Sequence, residues 1–237
     1  MKTFAGVSGF SYPSWRGKFY PEKAKPEELL TYYSKALSSV EINSSFYAPP
    51  SSAMVKNWAA KTEGNFRFSF KAPKKITHIL KLGEGAVEEA ERLSKTLDLL
   101  GPRRGPVLFQ LPPYLKHDEE LLAGFLSGTS KIPARIFEFR HESWLTDSTF
   151  RQLEEHGAGF CIADTEDMEP SMRVTGEVAY FRLRKDSYSP EQVDGWARKI
   201  ISVADGAAET YVYLRHDETG ENGLLAQRLS LAISRRK

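Results

Sequence analysis

The sequence predicts one α/β domain folded as a TIM-type (β/α)8 barrel. Three observations predict it. Apolar, β-rich segments recur eight times along the 237 residues, helical patterns separate most of them, and no linker, low-complexity block or charge run divides the chain, so residues 1–237 read as a single domain. Strands alternating with helices imply parallel pairing through right-handed crossovers. At roughly 30 residues per unit the length lies near the short end for this barrel. An open doubly wound sheet is the alternative. It usually holds fewer strands in this length, and no Gly-x-Gly-x-x-Gly turn follows the first strand.

Strands are expected at residues 3–9, 39–46, 67–73, 105–112, 135–141, 157–164, 178–184 and 210–217. The helix expected over 26–37 opens with Pro26 and carries Leu29, Leu30, Tyr33 and Leu37 at helical spacing. That over 51–61 gathers Met54, Val55 and Trp58 on one face, and that over 86–100 has Val87, Ala90, Leu93, Leu97 and Leu100 in register. Further helices are expected at 118–126, 147–156, 190–204 and 224–235, whereas 165–177 is weak as a helix and reads as irregular.

Composition narrows the class. With 27% charged and 41% hydrophobic residues the chain is an ordinary globular one, and a net charge of +2 argues neither for nor against nucleic acid. No apolar run reaches about 18 residues, so no membrane partner is expected. The first residues lack a signal-peptide pattern, and the only cysteine, Cys161, sits in an apolar run. One cysteine excludes an intrachain disulfide and a cysteine-based metal site. The expected location is cytoplasmic.

The predicted strands end in polar residues. Strand two gives Glu41 and Asn43, strand three Ser69 and Lys71, strand four Gln110, strand five Glu138 and Arg140, and strand six Asp164. Strand seven gives Arg182 and Arg184, and strand eight Arg215, His216 and Asp217. Residues two apart on a strand share a face. Glu138 and Arg140 therefore place opposite charges on one face of an apolar strand, which is costly unless they are paired or used. In a barrel these ends converge on one mouth. Each residue alone suits a structural role; together they mark a functional pocket.

Several alternatives stay open within that pocket. The long aromatic segment 10–21, with Trp15 at its centre, either covers a ligand or packs as a plug on the rim. Tyr47 and Trp144 are candidate walls. Arg182, Arg184 and Arg215, with backbone amides of 217–223 at the start of the last helix, suit an anion. His141 and His216 belong at the mouth, and His78 reaches it from a loop. The cofactor is unknown: a divalent metal on Glu41, Glu138, Asp164 and a His is conceivable but is not predicted, because no His-Glu-x-x-His or comparable spacing occurs. Glu41 and Glu138 also suit a glycosidase pair. Lys71 suits a Schiff base if desolvated, or an anion ligand.

Six stretches carry a family resemblance: residues 6–21, 40–47, 66–73, 108–113, 137–141 and 161–164. Together they resemble the DUF72 (YecE-like) family, over nearly the whole chain. The resemblance implies a TIM-type barrel and no established activity. It implies that the family's signature residues stand here as Glu41, Asn43, Lys71, Gln110, Glu138, Arg140, Asp164 and Arg182. The chain departs from the family's pattern at Arg184-Lys185, where a His-Gly-like pair is usual, and at Arg215-His216-Asp217, where an Asn-Asn-Asp run is usual.

The combined expectation is an enzyme, of hydrolase or lyase class, acting on a small-molecule, anionic and phosphorylated substrate. Glu41 and Glu138 are the acid/base pair and Asp164 orients one of them. Lys71, Arg140 and Arg182 bind negative charge, Asn43 and Gln110 position the substrate, and Tyr47 and Trp15 line it. The rivals are a metal-assisted phosphodiesterase or nuclease, and a non-catalytic protein binding nucleic acid or a metabolite.

Overall fold

The computed structural model describes residues 2–235. Eight strands form in the expected places: β1 (Lys2–Val7), β2 (Ser39–Ile42), β3 (Arg67–Lys71), β4 (Arg104–Gln110), β5 (Arg135–Glu138), β6 (Gly159–Asp164), β7 (Val178–Leu183) and β8 (Glu209–Leu214). Except at β6, each strand ends before its predicted boundary. Seven α-helices are described: α1 (Leu29–Ala36), α2 (Ser52–Ala60), α3 (Ala86–Leu97), α4 (Glu119–Gly128), α5 (Asp147–Glu155), α6 (Pro190–Val203) and α7 (Glu221–Ser234). The β6–β7 connection holds no helix, as its weak pattern implied.

Local chemistry sets the helix starts. Ser51, Asp118, Thr146 and Ser189 each accept a backbone N–H at the heads of α2, α4, α5 and α6. Gln192 completes a reciprocal capping box with Ser189.

All paired strands are parallel, in the order β1-β8-β7-β6-β5-β4-β3-β2. The ring closes between β1 and β2 by a Ser8–Glu41 bridge, with the Gly9 N–H donating to the Glu41 carbonyl at 2.9 Å. Below that bridge side chains stitch the seam. The Tyr33 hydroxyl, from α1, accepts from the Val7 N–H at 2.8 Å and donates to the Ser39 carbonyl at 3.0 Å. The Ala5 N–H donates to Ser38 Oγ at 3.0 Å. Such backbone groups are costly if buried unpaired. Gly6 makes the approach feasible: a Cβ there would lie 1.9 Å from the Ser39 carbonyl oxygen.

Alternation along the strands gives two cores. Outward-facing residues pack on the helices. Inward-facing Phe4, Leu108, Ile136, Cys161, Tyr180, Tyr211 and Tyr213 fill the barrel. The Tyr213 hydroxyl hydrogen-bonds Ser69 Oγ at 2.7 Å and also bonds Ser39 Oγ, so the filled interior ends upward in a satisfied polar layer. This layer is the floor of the mouth.

The seam yields a prediction. Gly6→Ala forces backbone to shift and should cost about 3 kcal/mol in chemical denaturation. Tyr33→Phe leaves the Val7 N–H without its partner and should cost about 1–3 kcal/mol. A Gly6→Ala variant as stable as the parent would contradict closure at this contact.

Candidate anion site at the barrel mouth

Strand parity explains what reaches the mouth. Ser8, Glu41, Lys71, Gln110, Glu138, Arg182 and Arg184 all continue the inward-facing rows. Arg182 stands at their centre, 3% exposed, and reaches both carboxylates. Its Nε donates to Glu41 Oε1 at 2.9 Å, its Nη2 to Glu41 Oε2 at 2.8 Å, and its Nη1 to Glu138 Oε2 at 2.6 Å. The fork on Glu41 is bidentate, the arrangement for which guanidinium geometry is suited.

Glu41 is 0% exposed and fully engaged. Besides Arg182, Tyr180 donates to Oε1 at 2.9 Å and Ser8 Oγ to Oε2 at 3.0 Å. Burial alone would raise its pKa, but the Arg182 and Arg184 charges outweigh burial and hold it at about 2. With both oxygens engaged by Arg182, Tyr180 and Ser8, Glu41 is placed to anchor Arg182.

Glu138 is different. Its Oε1 accepts from Gln110 Nε2 at 2.6 Å. It too is held ionised, burial being outweighed by Arg182 and by hydrogen bonds from Gln110 and Arg182. Unlike Glu41, it borders the open mouth, together with Asn43, Phe46, Tyr47, Lys71, Gln110, Arg140, Thr165, Arg182, Arg184, Arg215 and His216. The cavity measures about 390 Å³.

Lys71 lies above Gln110's side of the floor. Its Nζ sits 4.0 Å from the Phe46 ring centre and makes no hydrogen bond to the described protein groups. Burial, then the Arg182 charge, lowers its pKa to about 8. Arg184 is drawn down to about 10 by burial and Arg182, and so stays charged at neutral pH. Its guanidinium bonds Ser8 Oγ. Arg215 is shared with the exposed Asp186. Setting that pair aside, Lys71, Arg140, Arg182 and Arg184 face Glu41 and Glu138, a surplus of positive charge that favours an anion.

Two expected site residues lie elsewhere. Asp164 falls on the outward parity of β6. Its Oδ2 accepts from the Tyr188 hydroxyl at 2.8 Å and from Trp196 Nε1 at 3.2 Å, and Lys185 Nζ stands 3.4 Å from Oδ1. It ties α6 to the barrel, while Ala163 takes the inward position. Trp15 is 0% exposed and donates its Nε1 to the Asp217 carbonyl at 2.7 Å, packed against the rings of Tyr12, Phe19 and Tyr20 in tilted and edge-to-face contacts. It belongs to an aromatic plug seated on the start of α7, where a Cβ at Gly220 would come within 2.9 Å of its ring. Glu41 is enclosed, while Asn43, Lys71, Gln110, Glu138, Arg140, Arg182 and Tyr47 border the mouth, with Tyr47 at the rim, 85% exposed.

The amides of 217–223 are likewise committed. The Asp217 carboxylate accepts from the backbone N–H groups of Thr219, Glu221 and Asn222, so this helix start is capped internally. His141 Nδ1 accepts from the Ser143 N–H, capping a short turn. His216 stacks on Tyr12 with ring centres 5.0 Å apart and borders the mouth. Among the described residues no group of three or more His, Cys, Asp or Glu side chains is arranged to hold a metal ion. The donor set considered from sequence is split by the barrel wall, with Asp164 outside it.

Comparison with known proteins places this geometry. The model of the family described as "Protein of unknown function DUF72" matches residues 4–237. The chain belongs to this family. A DUF72 family protein from Thermotoga maritima superposes with a TM-score of 0.87 at 26% identity, covering 99% of this chain and 100% of that one. One from Enterococcus faecalis gives 0.79 at 16% identity, covering 98% and 95%. Among curated sequences, YunF of Bacillus subtilis is 29% identical over 142 residues, and YecE of Escherichia coli K12 is 30% identical over 109. These matches span 56% and 46% of this chain, and 50% and 37% of the relatives' own lengths. A D-psicose 3-epimerase from Clostridium cellulolyticum shares the barrel fold, with a TM-score of 0.57 at 12% identity.

Sequence reading missed Ser8 and Tyr180, both bonded to Glu41. Parity was the available signal: Tyr180 lies two residues before Arg182, and Ser8 two after Gly6 on the β1 row. Neither residue type signals a site by itself.

The buried cluster makes stability pH-dependent. Glu41 titrates at about 4.5 when unperturbed and about 2 when folded, so the folded state binds fewer protons. Its contribution is complete above the unfolded value and is lost as pH falls from 4.5 towards 2. Glu41→Gln should cost about 3–5 kcal/mol at pH 7 by leaving Arg182 under-compensated, and should flatten this limb of the stability-against-pH curve. Denaturant titrations from pH 7 to pH 2 measure both effects.

Proposed function

We propose that the barrel mouth is the active site of an enzyme acting on a small anionic substrate, of which a phosphorylated one fits best. The observation that carries this reading is Lys71, an ammonium without a hydrogen-bond acceptor among the described residues, in a mouth also bordered by Arg140, Arg182 and Arg184. An anion there would supply the missing acceptor and neutralise surplus charge.

In this reading Lys71 and Glu138 divide the proton chemistry. Glu138, held as a carboxylate, accepts a proton from substrate. Lys71, with a pKa of about 8, is mostly protonated at neutral pH yet close enough to give its proton up, which suits a general acid. Asn43 and Gln110 orient the substrate's polar groups. The Asn43 Oδ1, buried and without a protein partner, offers an acceptor at the mouth. Glu41 and Asp164 keep Arg182 and α6 in place and touch no reacting atom. Hydrolysis of a phosphate ester suits such an acid/base pair: Glu138 takes a proton from the attacking water, the phosphorus–oxygen bond to the alcohol breaks, and Lys71 gives its proton to the departing oxygen. The metal-assisted rival is disfavoured by its divided donor set.

Binding of inorganic phosphate and of small phosphate esters, followed by calorimetry, tests the reading. Affinity should fall as pH rises through about 8, when Lys71 loses its charge. Lys71→Gln should weaken binding about tenfold and remove that pH dependence. Glu138→Gln should lower turnover of any substrate found by at least about a hundredfold while binding persists. Phosphate binding in Lys71→Gln with the parent's affinity and pH profile would overturn the assignment.

A further inference from the structure

A second cavity of about 210 Å³ adjoins the mouth. It follows from how β5 meets β6. These strands pair only at Ile136–Gly159 and Phe137–Phe160. Beyond Phe137 they part, although β6 continues to Asp164. The cavity lining records that gap. Inward-facing Glu138, Cys161 and Ala163 and outward-facing Phe139 and Phe160 all border it, which requires an opening between the strands. Leu145 and Met168 add apolar wall, Met168 from the β6–β7 connection.

Its lining is more apolar than that of the mouth: Pro113, Phe139, Leu145, Phe160, Met168 and Pro170 supply most of its apolar wall, with Asp167 and Glu169 of the β6–β7 connection also on its border, whereas the mouth is bordered mostly by charged and amide side chains. The two are nevertheless continuous, since Glu138, Arg140 and Thr165 border both. Cys161, beside Glu138, adds no nucleophile: burial and then the Glu138 charge push its thiol pKa well up, so it lines the cavity as a small apolar group.

We propose that this cavity is the apolar half of the substrate site and receives a compact hydrocarbon group carried by the anion. This rests on the anion-site reading given above. The substrate class is then a phosphate ester of an aromatic or branched aliphatic alcohol, with its phosphate among Lys71, Arg140 and Arg184 and its hydrocarbon between β5 and β6. The size fits one ring, since dry apolar cavities of about 150 Å³ accept benzene. Glu138 stands at the junction of the two compartments, where the bond between the hydrocarbon and the phosphate would lie.

Calorimetry on the full chain at pH 7 with inorganic phosphate, methyl phosphate and phenyl phosphate tests this. Phenyl phosphate should bind about tenfold to a hundredfold more tightly than methyl phosphate, as burial of one apolar group implies. Ala163→Phe, which places a ring in the cavity, should abolish the preference for phenyl over methyl phosphate. Met168→Ala, on a connecting segment, should reduce the preference severalfold and serves if the first variant fails to fold. Equal affinities for the two esters in the parent, with both binding, would overturn the apolar compartment alone. A preference that survives both variants would overturn its location. If no phosphate compound binds, the anion site falls and this proposal with it.

Discussion

The Arg182 guanidinium is the constraint on which the upper half of the barrel depends. It is buried, and a buried cation is tolerable only when paired and hydrogen-bonded. Glu41, from the opposite side of the ring, supplies both lone-pair directions of one carboxylate; Glu138 supplies a third acceptor. Those contacts join β7 to β2 and β5 across the lumen. The same Glu41 lies in the bridge that closes β1 on β2, so barrel closure and the site's electrostatics share one residue.

The cluster also explains the behaviour of its neighbours. Arg182 satisfies the two glutamates, so further cations gain no carboxylate of their own. Arg184 leans on a serine hydroxyl and Lys71 on an aromatic ring. Burial, and then the Arg182 charge, lowers the Lys71 pKa to about 8. The surplus of positive charge at the mouth is thus a consequence of how the buried ion cluster is balanced.

The β5–β6 divergence adds shape to that charge. Apart from the β1–β2 seam, which closes by a single bridge, the other strand pairs run to their ends or nearly so, and the lumen is filled by aromatic and aliphatic side chains. Only a departure from regular pairing can place outward-facing phenylalanines and inward-facing polar groups around one cavity. Site chemistry here is therefore set jointly by residue parity and by where the ladder stops.

The sequence by itself determined the fold and much of the site. Eight apolar segments separated by amphipathic ones specify parallel strands and crossover helices, because side-chain period follows from backbone geometry. The placement of polar residues at strand ends likewise identified Glu41, Lys71, Gln110, Glu138 and Arg182 as neighbours. What the tertiary structure decided was direction and partnership. Asp164 ends its strand as the others do, yet one step of parity turns it outwards to Tyr188 and Trp196. The segment 10–21 suits either a ligand cover or a plug on the rim, and the packing of Trp15 against the start of α7 makes it a plug. Glu41 and Glu138 are chemically identical in sequence, and only their surroundings separate an enclosed anchor from a carboxylate at the mouth. Hydrogen-bond partners distant in the chain fix these outcomes, and local pattern carries no information about them.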